Sequence, residues 1–568
     1  MAISLFVLRV KQKIEQYWNI VKVRLCRHPK GLISPLKGVN TTYSSEYNVD
    51  IKIRIFGKEV PFEDINWHKD YKSGYIYPRK RFDRIKYTRI FNQGIEVKFP
   101  WNLSRFQFGV NLALGYHKNK EEKQYHLFKA LILNWIKNNP FLFGINWVCK
   151  MDIAIRAANW IVAVNMFGAI FWKDKAFVKT ISKSLIDHAY YLATFLKIQK
   201  NEQNNNHLIA DCSGLFVVAL SLEDHPCAAK WAQMALNGLE MCMKEQVLID
   251  GVDFEHSIPY HRLVLELLAI PLLLKDNCFS TFYKQHLFKM VEFVHAYIDH
   301  KGNAPQIGDN DSGIFIKLSE REEQNHAYLL SLGESIFGYD FGWKENNGFI
   351  PVFRRLTQTI GYRKVIDCSK SICFKESGFY FLKNKTIAVS VFCPPPTNRG
   401  HRHFDTGSFT LSFRGNPIIV DPGTGCYTSD LAIRKQLRDY SSHNLYYTTQ
   451  ENRHNFRYFG VCVDTFALVN DFSDNDLYYT ITLNQGTTIK RHFHLRQDSL
   501  VIEDDIKGHC EDIACALHFY HTTEVLIEGA ILISEAQYLY SPMYSVLENR
   551  KKIIIQPSHR VTTQIVCR

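Results

Sequence analysis

The chain has 568 residues, too many for one hydrophobic core, and its 46% apolar and 22% charged residues exclude a disordered or fibrous polymer. Its formal net charge of +13 is concentrated in the first hundred residues and favours an anionic partner. No recognised nucleic-acid module accompanies that charge, which leaves a polyanionic substrate or a solvated basic face.

Residues 1–30 read as an amphipathic basic helix that packs against the body of the protein. The apolar run at its start is short, is interrupted by Arg9 and lacks a small-residue cleavage site, so a cytoplasmic location is expected, with the periplasm or cell envelope as the alternative. No segment approaches the ~20 consecutive apolar residues of a membrane helix. Residues 31–95 read as irregular sequence with short strands such as VDIKIRIFG. From about Trp101 the texture becomes helical: YHLFKALILNWIKNNP, DIAIRAANWIVAVNMFGAIF, FVKTISKSLIDHAYYLATFL, HLIADCSGLFVVALSL and HRLVLELLAIPLLL all space apolar residues at helical period. Short polar links between them predict an antiparallel helical array or toroid. After about Gly361 short alternating runs take over, among them GFYFLKN, TIAVSVFC, SFTLSF, TIKRHFHLR and SLVIEDDI, which predict a β-sandwich. The expected class is α+β, with an N-terminal segment over 1–95, a helical domain over 96–350 and a β-sandwich domain over 360–568. The 14 cysteines are scattered, with no Cys-x-x-Cys pair, so neither a cysteine zinc knuckle nor a disulfide scaffold is indicated.

The densest chemistry lies between Gly400 and Gly423, GHRHFDTGSFTLSFRGNPIIVDPG. Along a strand His401 and His403 would share a face, with Asp405 able to join them. A neighbouring strand ending at Asp421 could meet His403, and His443 in SSHNLYYTT could complete a three-ligand site of imidazole and carboxylate, a donor set that suits zinc. In the helical half, Asn206 and His207 in NNNHLIAD stand at a helix start, where Asn is a common cap and where amide donors also hold carboxylates. DGVDFEHSIPYHR offers Glu255, Tyr260, His261 and Arg262 just before another helix. QIGDNDSG adds Asp309 and Asp311 in a loop that reads as a turn. Arg156 sits inside an apolar helix, a position that fits a buried ion pair as well as a ligand contact.

These segments, with WNLSRFQ, WIKNNP, IRAANW and VDPGTGCY, run in one order from about residue 100 to the C-terminus and together resemble the heparinase II/III-type polysaccharide lyases and their alginate-lyase relatives. The resemblance implies an (α/α) toroid followed by an antiparallel β-sandwich, with an active-site cleft between them. It implies an acidic polysaccharide substrate cut by β-elimination. It also implies roles: Asn206 and His207 would neutralise a uronate carboxylate, Tyr260 would be the catalytic tyrosine and His401 the histidine of the sandwich face. His403, Asp421 and His443 would hold a structural zinc ion. Arg156, Glu255, His261 and Arg262 are candidates for substrate contact.

The chemistry explains these types. Abstraction of the uronate C5 proton spreads charge onto the carboxylate, which preorganised donors stabilise, and a base and an acid then serve C5 and the leaving oxygen at C4. A tyrosine with an ordinary pKa of about 10 would act as base only beside cations, which His261, Arg262 or His401 could supply. Either of Tyr260 and His401 can be the base. Three other outcomes stay open on the sequence: a uronate C5-epimerase, a non-catalytic polysaccharide-binding protein on the same scaffold, and, less favoured, a zinc hydrolase.

Overall fold

The structure is a computed structural model that describes residues 14–15, 18–23, 30–41, 52–196, 204–343, 348–356, 370–396, 400–449, 465, 467–483, 486–521 and 523–567. The expected helix over 1–30 falls largely outside these residues; 14–15 and 18–23 are helical.

Between Lys98 and Phe337 the regular elements of the described chain are all helices, and two kinds of helix alternate. Lys150–Phe167, Asn206–Ser221 and Ile258–Leu274 are buried along nearly their whole length. Lys123–Asn138, Lys175–Phe195 and Ala228–Gln246 bury only one face. A helix that is apolar all round must be enclosed, and an amphipathic one must lie at the surface. The alternation therefore puts the first set in an inner ring and the second outside it, the arrangement of an (α/α) toroid. Gly214 marks how tightly the inner ring closes: a Cβ there would sit 2.6 Å from the Ala154 side chain. No helix among the described residues is long and apolar enough to cross a membrane.

Among the described residues the C-terminal half forms one antiparallel sheet of 13 strands. Its path runs from Ile372–Phe374 through Ser408–Phe413 and Asn416–Ile419 to Ile513–Phe519, then through Glu548–Val566, Ser499–Lys507 and Thr488–Leu495 to Ala467–Phe472. Opposite ends of this path meet in one core, where Phe409 packs on Phe493 with ring centroids 5.2 Å apart and Tyr380 on Phe472 at 5.6 Å. The sheet thus folds over itself as two layers, a sandwich. Strict alternation does this: in Asp476–Thr482, Leu477, Tyr479 and Ile481 turn inward while their neighbours face water.

The two halves meet where loops from the sandwich lie over the inner helix starts. The carbonyl of Glu255 accepts from the His401 backbone N–H at 2.8 Å, and the Asp309 N–H donates to the His401 carbonyl at 2.7 Å. Gly400 allows this approach. It has φ +89°, and a Cβ there would lie 2.5 Å from the Glu255 carbonyl oxygen.

Candidate active site

The helical wall is built from two helix starts. Asn205 caps Asn206–Ser221 by accepting from the His207 N–H at 3.1 Å, so the capping role belongs one residue before Asn206. This frees the Asn206 amide, which donates to Glu255 Oε2 at 2.7 Å while its backbone N–H donates to Oε1 at 3.1 Å. Asn206 Oδ1, buried, has no partner. His207 is solvent-accessible but ringed by protein, as a side chain in a concave cleft is, and desolvation lowers its pKa to about 4. The second start is capped by Ser257, whose Oγ accepts from the Tyr260 N–H at 3.2 Å and donates to the Asp309 carbonyl at 2.6 Å. That places Tyr260 in the first turn of Ile258–Leu274, its hydroxyl 2.9 Å from that of Tyr427.

The sandwich wall comes from a loop. Residues 400–407 precede the strand Ser408–Phe413 instead of extending it. His401 and His403 nonetheless share a target, because the carboxylate of Asp309 draws both. His401 Nδ1 lies 2.9 Å from Asp309 Oδ2, His403 Nε2 lies 2.9 Å from Oδ1, and Arg434 grips both oxygens, one of them at 2.7 Å. Burial pushes the Asp309 carboxyl up. The Arg434 charge and the hydrogen bonds from His401, His403 and Arg434 outweigh it, holding the group well below the usual carboxylate range. Asp309 thus orients His401, whose ring stacks on Tyr260 with centroids 3.8 Å apart and 15° between planes. Its Nε2 stands 3.5 Å from Glu255 Oε2, longer than a good hydrogen bond. The catalytic candidates of both halves are within touching distance.

The environment of Tyr260 differs from the sequence expectation. His261 is turned into the helical core, 3.1 Å from the Met290 carbonyl, and Arg262 donates to the carbonyls of Glu323 at 2.6 Å and Gly313 at 3.0 Å. They brace the helix and the loop beyond Asp311, and both are fully buried, away from any substrate contact. What faces the phenol is acidic. Burial raises the Tyr260 pKa well above its ordinary value, and Asp311, Tyr427 and Asp309 raise it further. The group therefore holds its proton. Arg156 is also interior: its Nε lies 3.0 Å from His188 Nε2 and its guanidinium covers the Trp135 ring at 4.2 Å, with burial lowering its pKa to about 9. Helix position alone could not tell an inward arginine from one aimed at the cleft. Glu255, by contrast, is at the site.

His403, Asp421 and His443 come together, their ligand atoms all within 4.8 Å of one another. His443 Nδ1 lies 2.7 Å from Asp421 Oδ2, and His403 Nδ1 and His443 Nε2 are buried with no hydrogen-bond partner. Burial lowers the His403 pKa to about 4, so its ring is neutral, as a ligand must be. Burial acts on His443 too, but Asp421 and Asp405 prevail and raise it, a local excess of negative charge that a cation would neutralise. The donor set and its orphaned nitrogens fit zinc. Asp405 is not drawn in: both its oxygens are buried without partners, and burial raises its pKa to about 6.

Other residues complete the site. Lys98, at the start of Lys98–Ser104, pairs with Asp311 and lies over the rings of Tyr427 at 5.4 Å and Tyr544 at 5.3 Å. Arg434 comes from Leu431–Arg438, a helix of eight residues set between strands. Tyr427 stands in VDPGTGCY, where an ordinary packing tyrosine would look the same.

Two family profiles match this chain: one described as Heparinase II/III N-terminus over residues 43–319, and one described as Heparinase II/III-like, C-terminal over residues 369–450. The chain belongs to the heparinase II/III family. Among curated proteins it is similar to a heparin-sulfate lyase of Pedobacter heparinus, 22% identical over 383 residues that make up 63% of this chain and 53% of that one. A heparin-sulfate lyase of Bacteroides stercoris is 20% identical over 389 residues, 62% of this chain and 55% of that one. The chain spans about half the length of these relatives. A crystal structure of heparinase III superposes with a TM-score of 0.64 at 15% identity, covering 97% of this chain and 89% of the other. A heparan sulfate lyase structure from Pedobacter heparinus gives 0.54 at 17% identity over 87% and 80%. This likeness establishes the fold, helical toroid followed by antiparallel sheet.

Proposed function

We propose that this chain is a polysaccharide lyase that cuts a uronic-acid-containing acidic polysaccharide by β-elimination. The single observation that carries the reading is the stacked pair of Tyr260 and His401, one from each half, with His401 held at Nδ1 by Asp309. An imidazole whose Nδ1–H is donated to a carboxylate presents Nε2 as a proton acceptor. A phenol whose pKa is driven up is an acid at neutral pH. The division of labour follows: His401 is the base and Tyr260 the acid.

In this mechanism the uronate carboxylate lies against Asn206 and His207, whose donors stabilise the charge that develops there. His401 Nε2 takes the C5 proton, the electron pair forms the C4–C5 double bond, and the C4–O bond breaks as Tyr260 protonates the departing oxygen. Transfer of the proton from the His401 imidazolium to the Tyr260 phenolate through solvent resets both. Glu255 holds Asn206 in place until substrate enters. His403, Asp421 and His443 would hold a zinc ion, whose contribution would be structural, fixing His403, which shares Asp309 with His401. A heparan-type chain is the first substrate to test, since the similar curated proteins are named for that class.

The test is incubation of the full chain with a panel of uronate-containing polysaccharides, following the ultraviolet absorbance of the C4–C5 double bond. A rise that Tyr260→Phe and His401→Ala lack is the expected result. Solvent deuterium incorporated at C5 without absorbance would replace the lyase by an epimerase, and polysaccharide binding with neither signal would make the protein a binder. One equivalent of zinc by elemental analysis, lost in His443→Ala, is expected for the buried cluster.

A further inference from the structure

On the outer face of the sandwich, facing away from its core, three consecutive antiparallel strands place five side chains in one patch. His492 and His494 are two apart on Thr488–Leu495 and so share a face. The register sets His494 opposite Asp476, and His492 between Tyr478 on one neighbour and Glu503 on the other. All are partly or fully exposed. His492 Nε2 and His494 Nδ1 both lie 2.7 Å from the same oxygen, Asp476 Oδ1. His492 Nδ1 lies 3.1 Å from Glu503 Oε2, and the Tyr478 ring lies flat on the imidazole, centroids 3.9 Å apart and 9° between planes.

The protons decide what this patch is for. With hydrogen bonds alone, the three contacts require a proton on both nitrogens of His492 and on Nδ1 of His494, all crowding one carboxylate oxygen and one exposed glutamate. With a divalent cation the same geometry needs less: His492 Nδ1–H donates to Glu503, which leaves Nε2 as a lone-pair donor, and His494 Nδ1 and the Asp476 carboxylate supply two more ligands. A carboxylate behind a ligating histidine is the usual device that fixes its tautomer. We propose that Asp476, His492 and His494 form a second metal site, separate from the active-site cluster, which takes a zinc-like divalent ion of the kind that accepts imidazole and carboxylate and fastens the strands Asp476–Thr482 and Thr488–Leu495 together. The donor set is open on the solvent side, so water completes the coordination.

The experiment is calorimetric titration of zinc chloride into the full chain and into His492→Gln, His494→Gln and Glu503→Gln, each checked by circular dichroism for an unchanged fold. The unsubstituted chain binds one equivalent more than either histidine variant, and its melting temperature rises with zinc by an amount those variants lack. Glu503→Gln keeps the equivalent with affinity weakened by about 10- to 100-fold. His403→Ala keeps the surface equivalent, so loss of the buried ion and loss of this one are read separately. Equal stoichiometry and affinity in the unsubstituted chain and both histidine variants would overturn the site and leave a protonated histidine pair on a carboxylate.

Discussion

The helical and sandwich walls of the cleft hold their reactive groups by different means. On the helical side each group stands at a capped helix start, Asn206 after Asn205 and Tyr260 after Ser257, so local hydrogen bonds within three residues place it. On the sandwich side His401 stands in a loop, and long-range contacts place it: Asp309, 92 residues away in sequence, and the Glu255 backbone. The first kind of position is inherited from secondary structure and the second only from the assembled molecule. The sandwich wall should therefore be the fragile one, and Asp309 the point where it fails.

Asp309→Ala breaks this comparison most severely. It leaves the Arg434 guanidinium buried without its carboxylate and releases both His401 and His403. Removing one partner of a buried pair costs about 3–5 kcal/mol, which denaturant unfolding will report, and the elimination rate should fall with it. Gly400→Ala is next. It puts a Cβ against the Glu255 carbonyl at positive φ, a conformation that costs a non-glycine residue about 1–3 kcal/mol. Its melting temperature should drop, and activity should drop further than stability explains, because His401 is the next residue.

The smallest effect sharpens the helical side. Glu266, in the helix that Tyr260 opens, accepts from the Phe315 N–H at 2.7 Å and from the Tyr328 hydroxyl, so it anchors the loop that follows Asp311. Burial outweighs those hydrogen bonds and raises its pKa from 4.5 to about 7. Below the unfolded value both states carry the proton and nothing is lost. Between the two values the folded state keeps a proton that the unfolded state has released, so stability declines as pH rises through that window and the full cost is present above it. Melting temperatures measured across the window should fall with rising pH in the parent chain and fall less in Glu266→Gln. An unchanged slope would mean that Glu266 is ionised at neutral pH.

The same contrast explains what could be read in the sequence. Helical period located the inner helices, and alternation located runs such as SFTLSF and TIKRHFHLR as strands. Asn206, Tyr260, His401 and the cluster His403, Asp421 and His443 were legible because the family motifs include them. Arg156, His261 and Arg262 were misplaced because charge type does not reveal which way a side chain turns on a buried helix, and these three turn into the core. Asp309 was visible but looked like a turn residue. Its importance comes from Arg434, His401 and His403, which reach it from 92 to 125 residues away. Such convergence is a property of tertiary packing and has no local signature.

The central claim is that Tyr260 and His401, from opposite walls, act as one acid–base unit. The measurement that tests it is the absorbance-detected elimination rate for the parent chain, Tyr260→Phe, His401→Ala and the double variant, all on one substrate. The account predicts that each single substitution lowers the rate by about 100- to 10,000-fold and that the double variant is no slower than the slower single, as for groups that work together. A near-parental rate in either single variant, or losses that multiply in the double, would contradict it.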